Sequence, residues 1–191
     1  MASLLFLSLQ VLSMFPALCL GFGTSTTGYS NQAEHEKITK GALRCPADDN
    51  SSGECFSPDS LSQLAGHLAT FGAVGNPDDP LLWGKTLKAH PAHCDIADFF
   101  NSPNYPQSRN VAISILLECV THIHGRFGKA IKAAAGILDD DGYIIPDKAK
   151  IPPVTSCIFT NAVTSSNSKC SAILGFGRTL YNVQDFYSHS N

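Results

Sequence analysis

The chain has 191 residues, 43% of them hydrophobic, enough for a single domain with a core of its own. Its net charge of −3 and its 13 Lys plus Arg, with no basic run, argue against a nucleic-acid electrostatic footprint. A metal-dependent enzyme acting on phosphate esters is not excluded, because such proteins can bind phosphate through their ions.

The first charged side chain is Glu34. Leu4 to Leu20 is an apolar run interrupted by Ser8, Gln10, Ser13 and Pro16, with small residues at Gly21 and Gly23. Residues 1–23 therefore read as a signal peptide and residues 24–191 as a secreted, extracellular domain. A membrane anchor is the alternative, but Gln10 and Pro16 suit a barely long enough span poorly, and no later segment could cross a bilayer.

Removing the signal also removes Cys19, one of seven cysteines. Cys45, Cys55, Cys94, Cys119, Cys157 and Cys170 remain, an even set that in an exported chain suggests disulfides. Short-range pairing predicts Cys45–Cys55 and Cys157–Cys170, leaving Cys94–Cys119. A zinc–thiolate site is the rival, but no C-x2-C spacing supports it. Asn50-Ser51-Ser52 is an N-glycosylation sequon in the polar loop between Cys45 and Cys55.

A first helix is predicted with Asn31 as N-cap and Glu34 three residues on, a capping-box pattern. His35, Ile38, Thr39, Ala42 and Leu43 would share its inner face. On an apolar stripe a histidine such as His35 is ordinarily a satisfied core residue. Ser60 is expected to cap a helix from Leu61 to Phe71, with His67 off its apolar stripe. Asn76-Pro77-Asp78-Asp79-Pro80 reads as a turn that Asp79 helps to build. Leu81 to Asn101 contains Ala92-His93-Cys94-Asp95, where Asp95 could cap a helix start and His93 point into a site.

Ser108 is the predicted cap of the longest helix, Arg109 to about Leu138, with Val111, Ile115, Cys119, His122 and Ile123 on one side. Gly125 and Gly128 would mark a kink or a close helix crossing. His122 and His124 are two apart and face different ways, so at most one points inward; His122 is the one kept, as a weak ligand candidate. Asp139-Asp140-Asp141-Gly142 fails as a calcium loop, with Ile137 and Lys148 at ligand positions, and reads as a solvated turn. Residues 142–156 form an extended connection, and Thr164 to Lys169 a loop. No strand alternation, G-x-S-x-G, P-loop or G-x-G-x-x-G occurs. The fold expected is mainly α, about five helices with long disulfide-pinned loops.

The last helix, Leu174 to Asn191, spaces Tyr181, Asp185 and His189 four apart on one face. Asp185 and His189 could form an ordinary ion pair one turn apart, or offer an oxygen and a nitrogen to one zinc ion. Gln184-Asp185-Phe186-Tyr187-Ser188-His189-Ser190-Asn191 resembles the QDFYSHSN signature of the heterokaryon-incompatibility C (Het-C) family. The signature also occurs in N-terminal regions of certain von Willebrand A-containing proteins. Those regions are similar in helical plan to the zinc-dependent phospholipase C and single-strand nuclease superfamily, in which an H-x3-D-type helix supplies metal ligands.

His35-Glu36-Lys37-Ile38-Thr39 with Ala42-Leu43 resembles the H-x-x-I-T..AL opening of the same family, and Ala92-His93-Cys94-Asp95 its A-H-x-D motif. The resemblance implies His35, His93, Asp185 and His189 as zinc ligands, with Asp79, Asp95 and Tyr181 as weaker candidates beside His122, which is kept from its helix position alone. Asp79 lies fourteen residues before His93, a spacing similar to an Asp–His ligand pair of the bacterial zinc phospholipases. It further implies hydrolysis of a phosphoester, or a phosphoester or lipid ligand.

Three departures weigh against an enzyme. Tyr181 stands where the relatives carry His; Trp83, the only Trp, is internal rather than N-terminal; and the chain stops at Asn191 inside the signature. The expectation is a C-terminally incomplete, non-catalytic domain with a vestigial or incomplete zinc site.

Overall fold

A computed structural model describes residues 33–46, 55–67, 70–79, 90–94, 97, 107–149, 157, 159 and 167–189. The signal segment, Asn31, Asn50, Trp83, Asp95 and the side chain of His189 lie outside the described residues. Within them the chain is mainly helical, with six α-helices and no strand. These are α1 (Glu34–Leu43), α2 (Pro58–Ala65), α3 (His90–His93), α4 (Arg109–Ala135), α5 (Pro146–Ala149) and α6 (Ser168–His189). A 3-10 turn, Asn76–Asp78, lies between α2 and α3.

The spine is the antiparallel pair α4 and α6. Ala130 meets Gly175, so closely that a Cβ on Gly175 would stand 3.0 Å from Ala130. Phe127 and Phe176 have ring centroids 6.5 Å apart, and Gly136 abuts Ser168. The close crossing therefore falls on a glycine of α6. Gly125 and Gly128 have nothing within 4 Å of an added Cβ and interrupt nothing, because a glycine exposed on a helix marks a crossing only where a neighbour fills its missing side chain.

α6 begins at Ser168, six residues before the predicted start. The Asn167 side chain supplies the reason: its Oδ1 accepts from the backbone N–H of Lys169 (2.8 Å) and Cys170 (3.3 Å), which caps the helix. Ser108 caps α4 as predicted, its Oγ accepting from Val111 N–H at 3.4 Å.

Elsewhere the boundaries shift. α1 starts at Glu34, with Ala33 rather than Asn31 at the N-cap position and φ 55°. α2 starts at Pro58 and stops at Ala65, short of Phe71, because Gly66 turns left-handed at φ 93°. Gly72 then comes back so close that a Cβ there would lie 2.2 Å from Gly66 N. Residues 146–149 wind into a short helix inside the predicted extended connection, with Pro146 at its first position. Asp139 Oδ1 accepts from the N–H groups of Asp141 and Tyr143, giving the solvated turn the sequence suggested.

The core gathers Leu64, Ala73, Val74, Cys157, Cys170, Ile173 and Tyr181 around the middle of α6. α4 contributes only Ala112, Cys119 and Ala130 as buried residues. Val111, predicted inward, is exposed, as are Leu117 and Ile131. All three disulfides form with the predicted connectivity, Cys45–Cys55, Cys94–Cys119 and Cys157–Cys170. No helix among the described residues is long and apolar enough to cross a membrane.

Candidate functional site

The buried stripe of α1 is His35 and Thr39, one turn apart; Ile38 and Ala42, predicted to join it, face outward. The stripe is polar because it meets the polar residues Gln184 and Asp185 of α6 rather than the apolar core. Gln184 Nε2 donates to Thr39 Oγ1 at 3.0 Å, and Gln184 Oε1 lies 2.7 Å from His35 Nδ1. On the other side of the ring, His35 Nε2 stands 3.4 Å from Asp185 Oδ1. Stacking on Tyr181, centroids 4.7 Å apart, fixes the plane of the imidazole.

The second carboxylate oxygen of Asp185 takes another imidazole, His93 Nδ1, at 3.0 Å. His93 closes the four-residue α3 rather than opening a helix: Cys94 follows in the left-handed region at φ 52°, tied to α4 through Cys119. Asn182 completes the mount by donating from Nδ2 to the carbonyls of Pro91 (2.8 Å) and Ala92 (2.7 Å). A disulfide to α4 and an amide clamp from α6 thus hold His93 over Asp185.

Tyr181 donates its hydroxyl proton to Asp78 Oδ1 at 2.6 Å, and its oxygen lies 2.7 Å from His93 Nδ1. With the tyrosine proton committed to Asp78, the His93 Nδ1–H is the donor shared between the Tyr181 oxygen and Asp185. One network therefore runs Thr39, Gln184, His35, Asp185, His93, Tyr181, Asp78.

Burial opposes ionisation of Asp185, but hydrogen bonds from His35 and His93, the charge on His35 and the Tyr181 hydroxyl outweigh it, holding the carboxyl at about 2. Burial first, then the Tyr181 hydrogen bond opposing it and the nearby Asp185 charge reinforcing it, leave the Asp78 carboxyl raised. Burial and the two carboxylates push the Tyr181 phenol far above its ordinary range, so it stays protonated. The site thus sets a firmly ionised Asp185 beside Asp78, whose pKa burial raises.

Oxygen atoms face both ring nitrogens of His35. With Gln184 Nε2 committed to Thr39, the Gln184 oxygen faces Nδ1, and a carboxylate oxygen faces Nε2. A neutral imidazole has one donor and one acceptor nitrogen. At 1% exposure His35 thus presents Nε2 to the Asp185 carboxylate, where a cation shared by the two side chains would fit.

His35, His93 and Asp185 thus come together, joined by Tyr181. The carboxylate the 3-10 turn contributes is that of Asp78, where Asp79 was the sequence candidate; Asp79 N–H closes the turn onto Asn76 O at 3.3 Å. His122 stands apart, accepting from Arg126 Nε at 3.3 Å. Among the described residues no three His, Cys, Asp or Glu side chains form a ready-made metal-holding group, and the side chain of His189 lies outside those residues.

Sequence reasoning missed Asp78, Thr39, Gln184 and Asn182. Thr39 and Gln184 had a signal, being one turn from His35 and next to Asp185; Asp78 and Asn182 had none. No family model matches the chain, and no curated protein or solved structure matches it.

Proposed function

We propose that this chain is an exported helical domain of the Het-C kind that binds a zinc ion for structure rather than for hydrolysis. His35, His93 and Asp185 would be the ligands. The observation that supports a cation is the bracketing of His35 between the Gln184 oxygen and the Asp185 carboxylate, with a second imidazole on the same carboxylate. Two imidazoles and an ionised carboxylate are donors that suit zinc.

Burial favours a structural use. His35, Tyr181 and Asp185 are 1%, 1% and 2% exposed, whereas an ion acting on a phosphoester must meet its substrate. A catalytic zinc would supply a coordinated water with a pKa near 7 and stabilise charge on a phosphoester oxygen. Here Tyr181, kept protonated against Asp78, packs against both imidazoles, while His93 and Asp78 keep side-chain exposures of 16% and 27%. Export is supported by the apolar leader and three disulfides, which persist in oxidising compartments.

Zinc content of the purified full-length chain, with isothermal titration after chelation, tests the proposal. One equivalent of zinc is expected, lost in Asp185→Asn and in His35→Gln while all three disulfides and helical circular dichroism are retained. No saturable zinc binding in the wild type, or equal binding in Asp185→Asn, would overturn it. Metal-dependent turnover of a generic phosphodiester, abolished by Asp185→Asn, would instead support a zinc phosphoesterase.

A further inference from the structure

Two turns before Asp185 on the same face of α6 stands Arg178, and opposite it across the helix seam stands Arg126. The pairing follows from the crossing: Arg178 is three residues beyond Gly175, and Arg126 is one turn before Ala130, its partner. Each guanidinium is half-buried and anchored through Nε. Arg178 Nε donates to Asn76 Oδ1 at 2.7 Å, and Asn76, itself 1% exposed, donates onward to the Phe159 carbonyl at 2.6 Å. Arg126 Nε donates to His122 Nε2 at 3.3 Å, which makes His122 a neutral ring with its proton on Nδ1.

Anchoring through Nε uses one donor of each fork, and the terminal N–H groups are further donors of the same planar group. Among the described residues neither arginine takes part in an ion pair. Lys129 adds its charge to the same neighbourhood. A chain of net charge −3 thus places three of its 13 Lys and Arg in one neighbourhood with His122, beside which Glu118 lines the same surface pocket. Like charges held half-buried repel one another, and burial together with Arg126 lowers Arg178 to about 10. Such an arrangement costs stability unless a negative charge is brought to it.

We propose that Arg126 and Arg178, with His122 beside them, form an oxyanion site that takes a phosphoryl group. Two planar forks fixed by their Nε atoms match a tetrahedral dianion better than a lone carboxylate, which one fork would satisfy. The site does not need zinc at the His35–His93–Asp185 cluster, from which Arg178 is separated by two helical turns, roughly 10 Å of rise.

Titration of the full-length chain with inorganic phosphate, followed calorimetrically in chelator and without other oxyanions, tests this. Saturable binding is expected, weakened roughly tenfold or more in Arg126→Gln, as loss of a charge-assisted partner implies. Arg178→Lys should weaken it similarly, since an ammonium cannot present the fork; Arg126→Gln leaves the Asn76 anchor intact and guards against a folding defect. Asp185→Asn should bind phosphate as the wild type does, which separates this site from the zinc proposal. No saturable binding up to roughly 10 mM phosphate, or unchanged affinity in Arg126→Gln, would overturn the inference.

Discussion

Gly177 is where α6 passes the Ala73–Val74 loop, and replacing it with alanine gives the sharpest packing prediction. A Cβ there would sit 2.5 Å from Ala73 Cβ, 2.6 Å from Ala73 C and 2.8 Å from Val74 N, against an ordinary contact of 3.4 Å or more. Two of the three atoms are backbone, so no rotamer change relieves the overlap. α6 or the loop must move by about 1 Å, in a core where Ala73 and Val74 are fully buried. Overpacking of this kind costs about 1–3 kcal/mol, offset by up to about 1 kcal/mol for the gain in helix propensity.

Gly128→Ala is the internal control, since its Cβ would meet nothing within 4 Å and only the propensity gain remains. Gly177→Ala should therefore lose roughly 1–2 kcal/mol while Gly128→Ala gains up to about 1 kcal/mol. Urea unfolding of the disulfide-intact proteins, with matched m-values, measures both. Equal stabilisation by the two substitutions would refute the close passage of α6 over Ala73.

Other expectations follow from the same contacts. Joint replacement of Cys94 and Cys119 by alanine should cost about 2–4 kcal/mol and loosen His93, read as faster exchange of its ring signals in NMR. Asn167→Ala should cost about 1 kcal/mol in thermal unfolding, with the amides of Lys169 and Cys170 losing hydrogen-exchange protection. In chelator, Asp185 should give acid sensitivity. Its carboxyl is held at about 2, below its usual 3.8, so the stability it contributes is present above pH 4 and lost between about pH 4 and 2. That lowering corresponds to roughly 2–3 kcal/mol, and Asp185→Asn should flatten that limb of the urea-midpoint profile.

Helix type and disulfide pairing were legible because they depend on local signals. Apolar periodicity and Ser108 located α4, and short cysteine separations are the easiest loops to close. Boundaries were lost where a single backbone conformation overrode the pattern, as at Gly66, or where a cap lay inside a polar run, as with Asn167. The inner face of α1 was misread because the rule that apolar residues turn inward failed where the neighbouring helix offers Gln184 and Asp185. His35 and Thr39 then gain more from hydrogen bonds than Ile38 would from burial. Outward apolar residues on α4 have the same lesson: its buried side holds small residues, Ala112 and Ala130, and α6 approaches at Ala130 through Gly175. Asp78 could not be singled out from Asp79 in sequence, since only the 3-10 geometry decides which carboxylate meets Tyr181.

Long-range 1H–15N correlation of the imidazoles, recorded on the full-length chain before and after one equivalent of zinc, bears most directly on the cation bracketed by His35 and Asp185. On addition of zinc, His35 should keep its Nδ1 contact with Gln184 while the Nε2 resonance shifts. A His35 Nε2 resonance unmoved by zinc would contradict the proposal and leave the cluster as a tie between helices.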